Sequence, residues 1–316
     1  MSWLVTGGAG YVGAHVVHAL AAAGARVVVL DDLSTGDAGR LDRLPDVPMV
    51  VGSVRDRGLV RRVLREHAVQ GVVHLAAREQ PTTSGTDPLA TWAENVEGLV
   101  ALLEGCRAKG VGRFVFASST AVYGAPDGGP VPEDASCRPL TPYGRTKLAG
   151  EWLVGDCVTA HGLAAVVLRL PDVGGAADPR LGDTAADRFL PQVFAALDAG
   201  SAPVVAGDGT AVRDLVHVAD VTDALVAAVR ALEAGSPGGV YDVGTGRGTS
   251  ALDVLRVVAE VTGGDTTPEV TDAQPGEPAV VPAVDRLERE LGVRARRDLH
   301  DVVTSAWTAW RHAQPL

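Results

Sequence analysis

Apolar residues in this chain fall into short unbroken runs, separated by stretches where they recur every three or four positions. The runs Trp3–Thr6, Arg26–Leu30, Met49–Val51, Val72–Leu75, Arg113–Ala117 and Ala165–Leu170 are too short for helices and apolar on both faces, so they read as buried strands. The periodic stretches Gly13–Ala22, Arg57–Glu66, Leu89–Lys109 and Tyr143–His161 read as helices. Strand and helix alternate, which predicts a parallel sheet covered on both faces: an α/β, Rossmann-type doubly wound fold with right-handed crossovers. After Leu170 the rhythm loosens into a Gly-, Ala-, Asp- and Pro-rich stretch over 171–187, then mixed helices and short strands. The expected division is a sheet domain of 1–170 plus about 216–243, and a smaller, discontinuous lobe of 171–215 plus 244–316.

Composition narrows the partners. A net charge of −11 and no basic stretch clustered on one face argue against nucleic acid. Cys106, Cys137 and Cys157 lack metal-ligand spacing and suit a reducing compartment better than a disulfide framework, and the eight histidines show no ligand spacing, so no metal is expected. With no leader-like start and no apolar run of about 18 residues, a cytoplasmic chain without a membrane span is expected. His74 and His217 read as packing or turn residues, Trp307 and Trp310 as a helix face covering the sheet, and Glu133-Asp134 as a solvated loop. Of 28 basic residues only Lys109 and Lys147 are lysines. Lys109 ends a helix and carries no signal, whereas Lys147 follows a tyrosine by four.

The segment Val5-Thr6-Gly7-Gly8-Ala9-Gly10-Tyr11-Val12-Gly13 leaves a strand and opens a helix, the context a dinucleotide loop requires. Glycine lets the backbone turn tightly against a diphosphate, and the helix N-terminus offers unpaired N–H groups and a partial positive charge. Asp31-Asp32 ends the second strand, where an acid accepts hydrogen bonds from ribose hydroxyls and repels a 2′-phosphate. That placement predicts NAD rather than NADP.

Ser118-Ser119-Thr120 falls at the carboxyl end of a strand, where open α/β sheets bind ligands. Tyr143 and Lys147 are i and i+4 on one helix and share a face. An ammonium beside a phenol favours the phenolate and brings Tyr143 within reach of general-base work near neutral pH. Ser119 is placed to orient a substrate hydroxyl or relay its proton.

These motifs together resemble the extended short-chain dehydrogenase/reductase family, in particular its UDP-glucose 4-epimerase branch. The resemblance is carried by Thr6–Gly13, Leu30-Asp31-Asp32-Leu33-Ser34-Thr35-Gly36, His74-Leu75-Ala76-Ala77, Asn95-Val96-Glu97-Gly98, Ser118–Gly124, Pro142-Tyr143 to Lys147, Arg213–Val218, Tyr241–Ser250 and the Leu291-Gly292 to Trp307 tail. It implies a tightly held NAD+ contacted by Gly7, Gly10, Tyr11, Val12, Gly13, Asp31, Asp32, Leu33, Ser34, Ser53, Val54, Leu75, Ala76, Ala77, Asn95, Ser118, Tyr143, Lys147 and Leu170. It implies catalysis by Ser119, Tyr143 and Lys147 with Thr120 as a second hydroxyl. Tyr143 would take the proton of a sugar 4-OH as C4 is oxidised, and the 4-ketosugar would turn over and be reduced on its other face. Substrate contacts are implied for Ser119, Thr120, Tyr143, Asp172, Arg188, Leu190 and Arg213, the last gripping the diphosphate. A homodimer through 89–109 and 143–161 is implied as well.

Several positions depart from the family. Ser53 stands where an adenine-gripping Asp is usual, Glu79 where a lysine is, Leu170-Pro171-Asp172 for Tyr-Phe-Asn, and Gln274 for a second diphosphate arginine. Most of these remove a cation or add an anion near a phosphate. Val281 occupies a position that gates bulky 2-substituents, leaving room for an N-acetyl group. Thr120-Ala121 has no acid, which disfavours the NDP-sugar dehydratase and UDP-glucuronate decarboxylase alternatives. A UDP-glucuronate 4-epimerase would need a carboxylate-binding cation, for which Arg180 and Arg188 are the candidates. A non-catalytic NAD sensor conflicts with the intact Tyr143/Lys147 pair.

Overall fold

A computed structural model describes residues 1–78, 87–126, 128–272 and 280–314. Its first half runs β1 (Ser2–Thr6), α1 (Tyr11–Ala22), β2 (Arg26–Asp31), β3 (Met49–Val51), α2 (Arg57–Glu66), β4 (Gly71–His74), α3 (Pro88–Trp92), α4 (Gly98–Lys109), β5 (Arg113–Ser119), α5 (Pro142–His161) and β6 (Ala164–Leu170). The second half runs β7 (Asp172–Gly174), α6 (Phe189–Asp198), β8 (Val204–Ala206), β9 (Val212–Arg213), β10 (Leu215–His217), α7 (Val218–Glu233) and β11 (Gly238–Asp242). It closes with β12 (Thr249–Ser250), α8 (Ala251–Thr262), β13 (Glu269–Thr271), α9 (Asp285–Leu291) and α10 (Leu299–Ala313).

The main sheet is parallel, in the order β11-β6-β5-β4-β1-β2-β3. Its strands read as unbroken apolar runs because alternate side chains feed two separate cores. Trp3, Val5, Val27, Val29, Val115, Val166 and Leu168 join α1 and α7 on one face. Leu4, Val28, Leu30, Phe114, Phe116 and Val167 join α2, α4 and α5 on the other. A third core lies beyond the sheet, formed by Leu190, Val193 and Phe194 of α6, Val205 of β8, Val254, Leu255, Val257 and Val258 of α8 and Val302 and Val303 of α10. Trp307 and Trp310 pack here against Phe194, at 5.1 and 6.0 Å between ring centroids, rather than over the main sheet as their spacing suggests.

The periodic stretch 89–109 is not one continuous α-helix. A π-helical turn over Ala93–Glu97 separates α3 from α4 and carries Asn95 inward. There its side chain accepts the Arg78 N–H at 2.7 Å and donates to Thr146 Oγ1 at 2.9 Å, bonds that help hold the irregular turn. α5 starts at Thr141, whose hydroxyl accepts the Gly144 N–H at 3.1 Å, followed by Pro142 in the first turn. That start fixes the rotation of α5, and with it the direction of Tyr143 and Lys147.

Candidate active site

The glycine loop joins β1 to α1 at the carboxyl edge of the sheet. Gly7 has φ +72°, and a Cβ there would lie 2.7 Å from the Ala76 backbone N. A Cβ on Gly13 would sit 1.9 Å from the Gly7 carbonyl oxygen, so α1 packs against the loop only because that position is glycine. The N-cap Gly10 supplies no side-chain bond, which leaves the first N–H groups of α1 for an anion. This cradle fits the diphosphate of NAD.

Asp31 ends β2 almost buried, its Oδ2 accepting the Ala9 N–H and its Oδ1 the Leu33 N–H, both at 2.9 Å. Burial raises its pKa despite those two bonds. Asp31 therefore shapes the glycine loop through its bond to Ala9. Asp32 is exposed and accepts from the Ser34 N–H and hydroxyl. Ser53 Oγ accepts the Arg55 N–H, Val54 is buried against Gly98, and Leu75, Ala76 and Ala77 leave the end of β4. Tyr11 donates its hydroxyl to the Gly175 carbonyl at 2.5 Å, while Val12 and Leu170 pack on the first core.

At the end of β5 the two serines differ. Ser119 Oγ accepts the Ala121 N–H at 3.1 Å, which leaves its hydroxyl hydrogen for a ligand. Ser118 instead donates to Glu151 Oε1 at 2.5 Å and is 2 % exposed, so its side chain is turned into the protein. Thr120 is buried beside Ser119. On α5, Lys147 Nζ donates to the Ala117 carbonyl at 2.7 Å and lies 5.5 Å from the Tyr143 ring centroid. His74 stacks on Phe116 behind it and meets Thr6 Oγ1 at 2.7 Å. Burial, helped by Lys147, pushes His74 down to about 3, so it stays neutral there.

In the second lobe Arg213 Nη1 lies 3.7 Å from Asp172 Oδ2, so the acid that replaces the family's Asn is the ion-pair partner of the arginine expected to grip a diphosphate. Asp214, next to it, is fully buried and accepts the N–H groups of Thr245 and Gly246, fixing the turn after β11. Arg188 pairs with Asp183 at 3.4 Å and lies over the Tyr11 ring, and Arg180 pairs with Asp178. Leu190 is in the third core. Val281 gives its carbonyl to the Val131 N–H at 2.9 Å. Glu79 and Gln274 lie outside the described residues.

Four polar residues to which the sequence assigned no role lie behind this site. Glu151, Arg169, Tyr123 and Asp242 are all buried and bonded in that order as a chain. Tyr123 and Asp242 lie within the motifs 118–124 and 241–250, and Arg169 is a charge inside the buried stretch Leu168-Arg169-Leu170. Glu133, read as a solvated loop residue, is drawn toward them, its carbonyl accepting from Arg169 at 2.9 Å.

Comparisons with known proteins agree with this geometry. Residues 3–244 match the model of the NAD dependent epimerase/dehydratase family. A UDP-glucose 4-epimerase of Azospirillum brasilense is 38 % identical over 98 % of this chain and 92 % of its own length. The solved UDP-glucose-4-epimerase of Stenotrophomonas maltophila, with bound NAD and formylated UDP-arabinopyranose, superposes with a TM-score of 0.91 at 34 % identity, covering 99 % of this chain and 98 % of that one. A protein named MoeE5, solved with UDP-glucuronic acid and NAD, gives 0.87 at 31 % identity over 99 % of this chain and all of its own.

Proposed function

Because the chain belongs to the NAD dependent epimerase/dehydratase family, we propose that it inverts C4 of a nucleotide sugar, with UDP-glucose and UDP-galactose as the substrate pair. The observation that carries this reading is Tyr143 and Lys147 on one face of α5, with Lys147 bonded to the strand that ends in Ser119, whose hydroxyl hydrogen has no acceptor among the described residues. NAD+ would be held by the Gly7–Gly13 loop, the α1 N-terminus and Asp31, and when bound it supplies reversible oxidation at the sugar carbon. Tyr143 takes the 4-OH proton as general base and returns it as general acid. Lys147, anchored on the Ala117 carbonyl, keeps a positive charge beside the phenol. Ser119 donates to the sugar oxygen as its charge changes. Arg213 holds the diphosphate, and Asp172 leaves it when phosphate arrives. Ala121, next to the reacting hydroxyls, offers no acid for elimination, which favours oxidation and return over dehydration.

Residues 1–170 with about 216–243 would bind the cofactor and the remainder the sugar. A homodimer is supported by Leu89 (81 % exposed), Trp92 and Trp152 (65 % exposed), apolar side chains left uncovered on α3 and α5. Trp152→Glu is expected to give a monomer by sedimentation, and an unchanged species would exclude this face. The three unpaired cysteines suit a reducing, cytoplasmic setting.

The reading is tested with purified protein and no added NAD, given UDP-glucose, UDP-galactose, UDP-N-acetylglucosamine, UDP-glucuronate and dTDP counterparts. Interconversion at C4 of UDP-glucose and UDP-galactose is expected. No inversion of any sugar would overturn it.

A further inference from the structure

Behind Ser119 and Tyr143 lies a buried polar chain that the proposed chemistry does not use. Arg169 of β6, 5 % exposed, donates through Nε and Nη2 to the two oxygens of Glu151 at 2.9 and 2.7 Å. Its Nη1 donates to Tyr123 Oη at 2.7 Å, and Tyr123 in turn donates to Asp242 Oδ2 at 2.6 Å. Asp242 is fully buried on β11, and its Oδ1 is unpartnered among the described residues. The chain ties α5, β5, β6 and β11 together immediately beneath the reacting residues.

Glu151 stands one helical turn beyond Lys147 on the same face as Tyr143. A bare carboxylate there would attract the Lys147 ammonium and oppose a phenolate on Tyr143 across a poorly screened interior. The Arg169 fork occupies both of its oxygens. We propose that Arg169 is a positioning residue for the general base: by neutralising Glu151 it leaves the charge of Lys147 to act on Tyr143, and so sets the pH at which Tyr143 gives up its proton. The inference rests on reading Tyr143 as the base.

The groups facing this region are Lys147 and Glu151 from α5, Arg169 from β6, Tyr123 after β5, Asp242 from β11, Glu133 and Cys137 from the 124–141 loop, and His74 from β4. Burial pushes Asp242 up to about 7 and raises the Tyr123 phenol, while His74 is neutral. Below neutral pH the Tyr123–Asp242 side therefore adds little negative charge. What remains is one carboxylate against one guanidinium.

The chain has four tyrosines, and burial holds Tyr11, Tyr123 and Tyr241 above the ordinary phenol range. Phenolate absorbance of the holoenzyme at lower pH therefore reports Tyr143, as its loss in Tyr143→Phe should verify. Arg169→Met is expected to raise the ionisation midpoint, and the acid limb of kcat/KM, by about one pH unit. Glu151→Gln, which folds with less risk, is expected to lower the midpoint by removing the carboxylate. The double variant should return near wild type, and Arg169→Lys should shift less than Arg169→Met. A merely structural role would lower kcat in all four without moving the midpoint. Turnover with an unmoved midpoint overturns this inference and leaves the epimerase reading standing. Opposite shifts in the two single variants without sugar turnover support it and count against that reading.

Discussion

Tyr143→Phe is expected to lower kcat for UDP-galactose by about two to four orders of magnitude, the scale of a lost general acid–base. The aromatic ring remains, so its contact with Lys147 and the packing of α5 should persist. Only the oxygen that carries the proton is removed. Bound NAD, measured after denaturing the protein, should stay near the wild-type amount because the loop Gly7–Gly13 and Asp31 are untouched. Full activity in this variant would remove Tyr143 from the mechanism. Loss of NAD together with activity would point to a folding or binding defect instead.

The second large effect is acid unfolding well before the carboxylates are all protonated. Burial holds His15 and His217 at about 4 and His74 at about 3, all below the ordinary imidazole value of 6.5. The folded state thus binds these protons more weakly than the unfolded chain. Their contribution to stability is fully present above about pH 6.5 and is lost as pH falls toward those values. At pH 4.5 the three sites together would cost about 8 kcal/mol, at about 1.4 kcal/mol per unit of difference. Asp242 works in the opposite sense: held near 7 in the fold, it favours the folded state increasingly as pH drops, returning about 3 kcal/mol at the same pH. Burial raises Asp31, Asp183 and Asp214 in the same sense as Asp242, so the net loss is smaller than that difference but still a sizeable part of an ordinary domain's stability. Tryptophan fluorescence should show a cooperative transition between pH 5 and 4. Charge repulsion is weak where the transition starts, since the net charge of −11 at pH 7 has fallen to zero near the pI of about 5.2. Stability unchanged down to pH 4 would show that the imidazoles meet water.

The amino-acid sequence by itself determined the Rossmann-type sheet, the glycine loop, the acid ending β2 and the Tyr143/Lys147 pair. Each is a local pattern: apolar runs of strand length, glycine where a side chain would strike the backbone, and two residues four apart on a helix. The observed strands and helices differ from the predicted ones mainly at their ends, and at the π turn around Asn95, whose side chain is bonded to Arg78 and Thr146, 17 and 51 positions away in the chain. Tertiary structure alone decided what the flanking groups do. Ser118 and Ser119 are adjacent and chemically identical, yet one is turned into Glu151 and the other is left with its hydroxyl hydrogen, because neighbouring strand residues face opposite sides of the sheet. Asp172 was legible as a misplaced anion, but only the fold shows it paired with Arg213. The link from Asp242 through Tyr123 and Arg169 to Glu151 joins residues up to 119 positions apart in the chain. Such bonds leave no periodicity to read, since they depend on which strands the parallel topology sets side by side, and strand order is a property of the packed molecule.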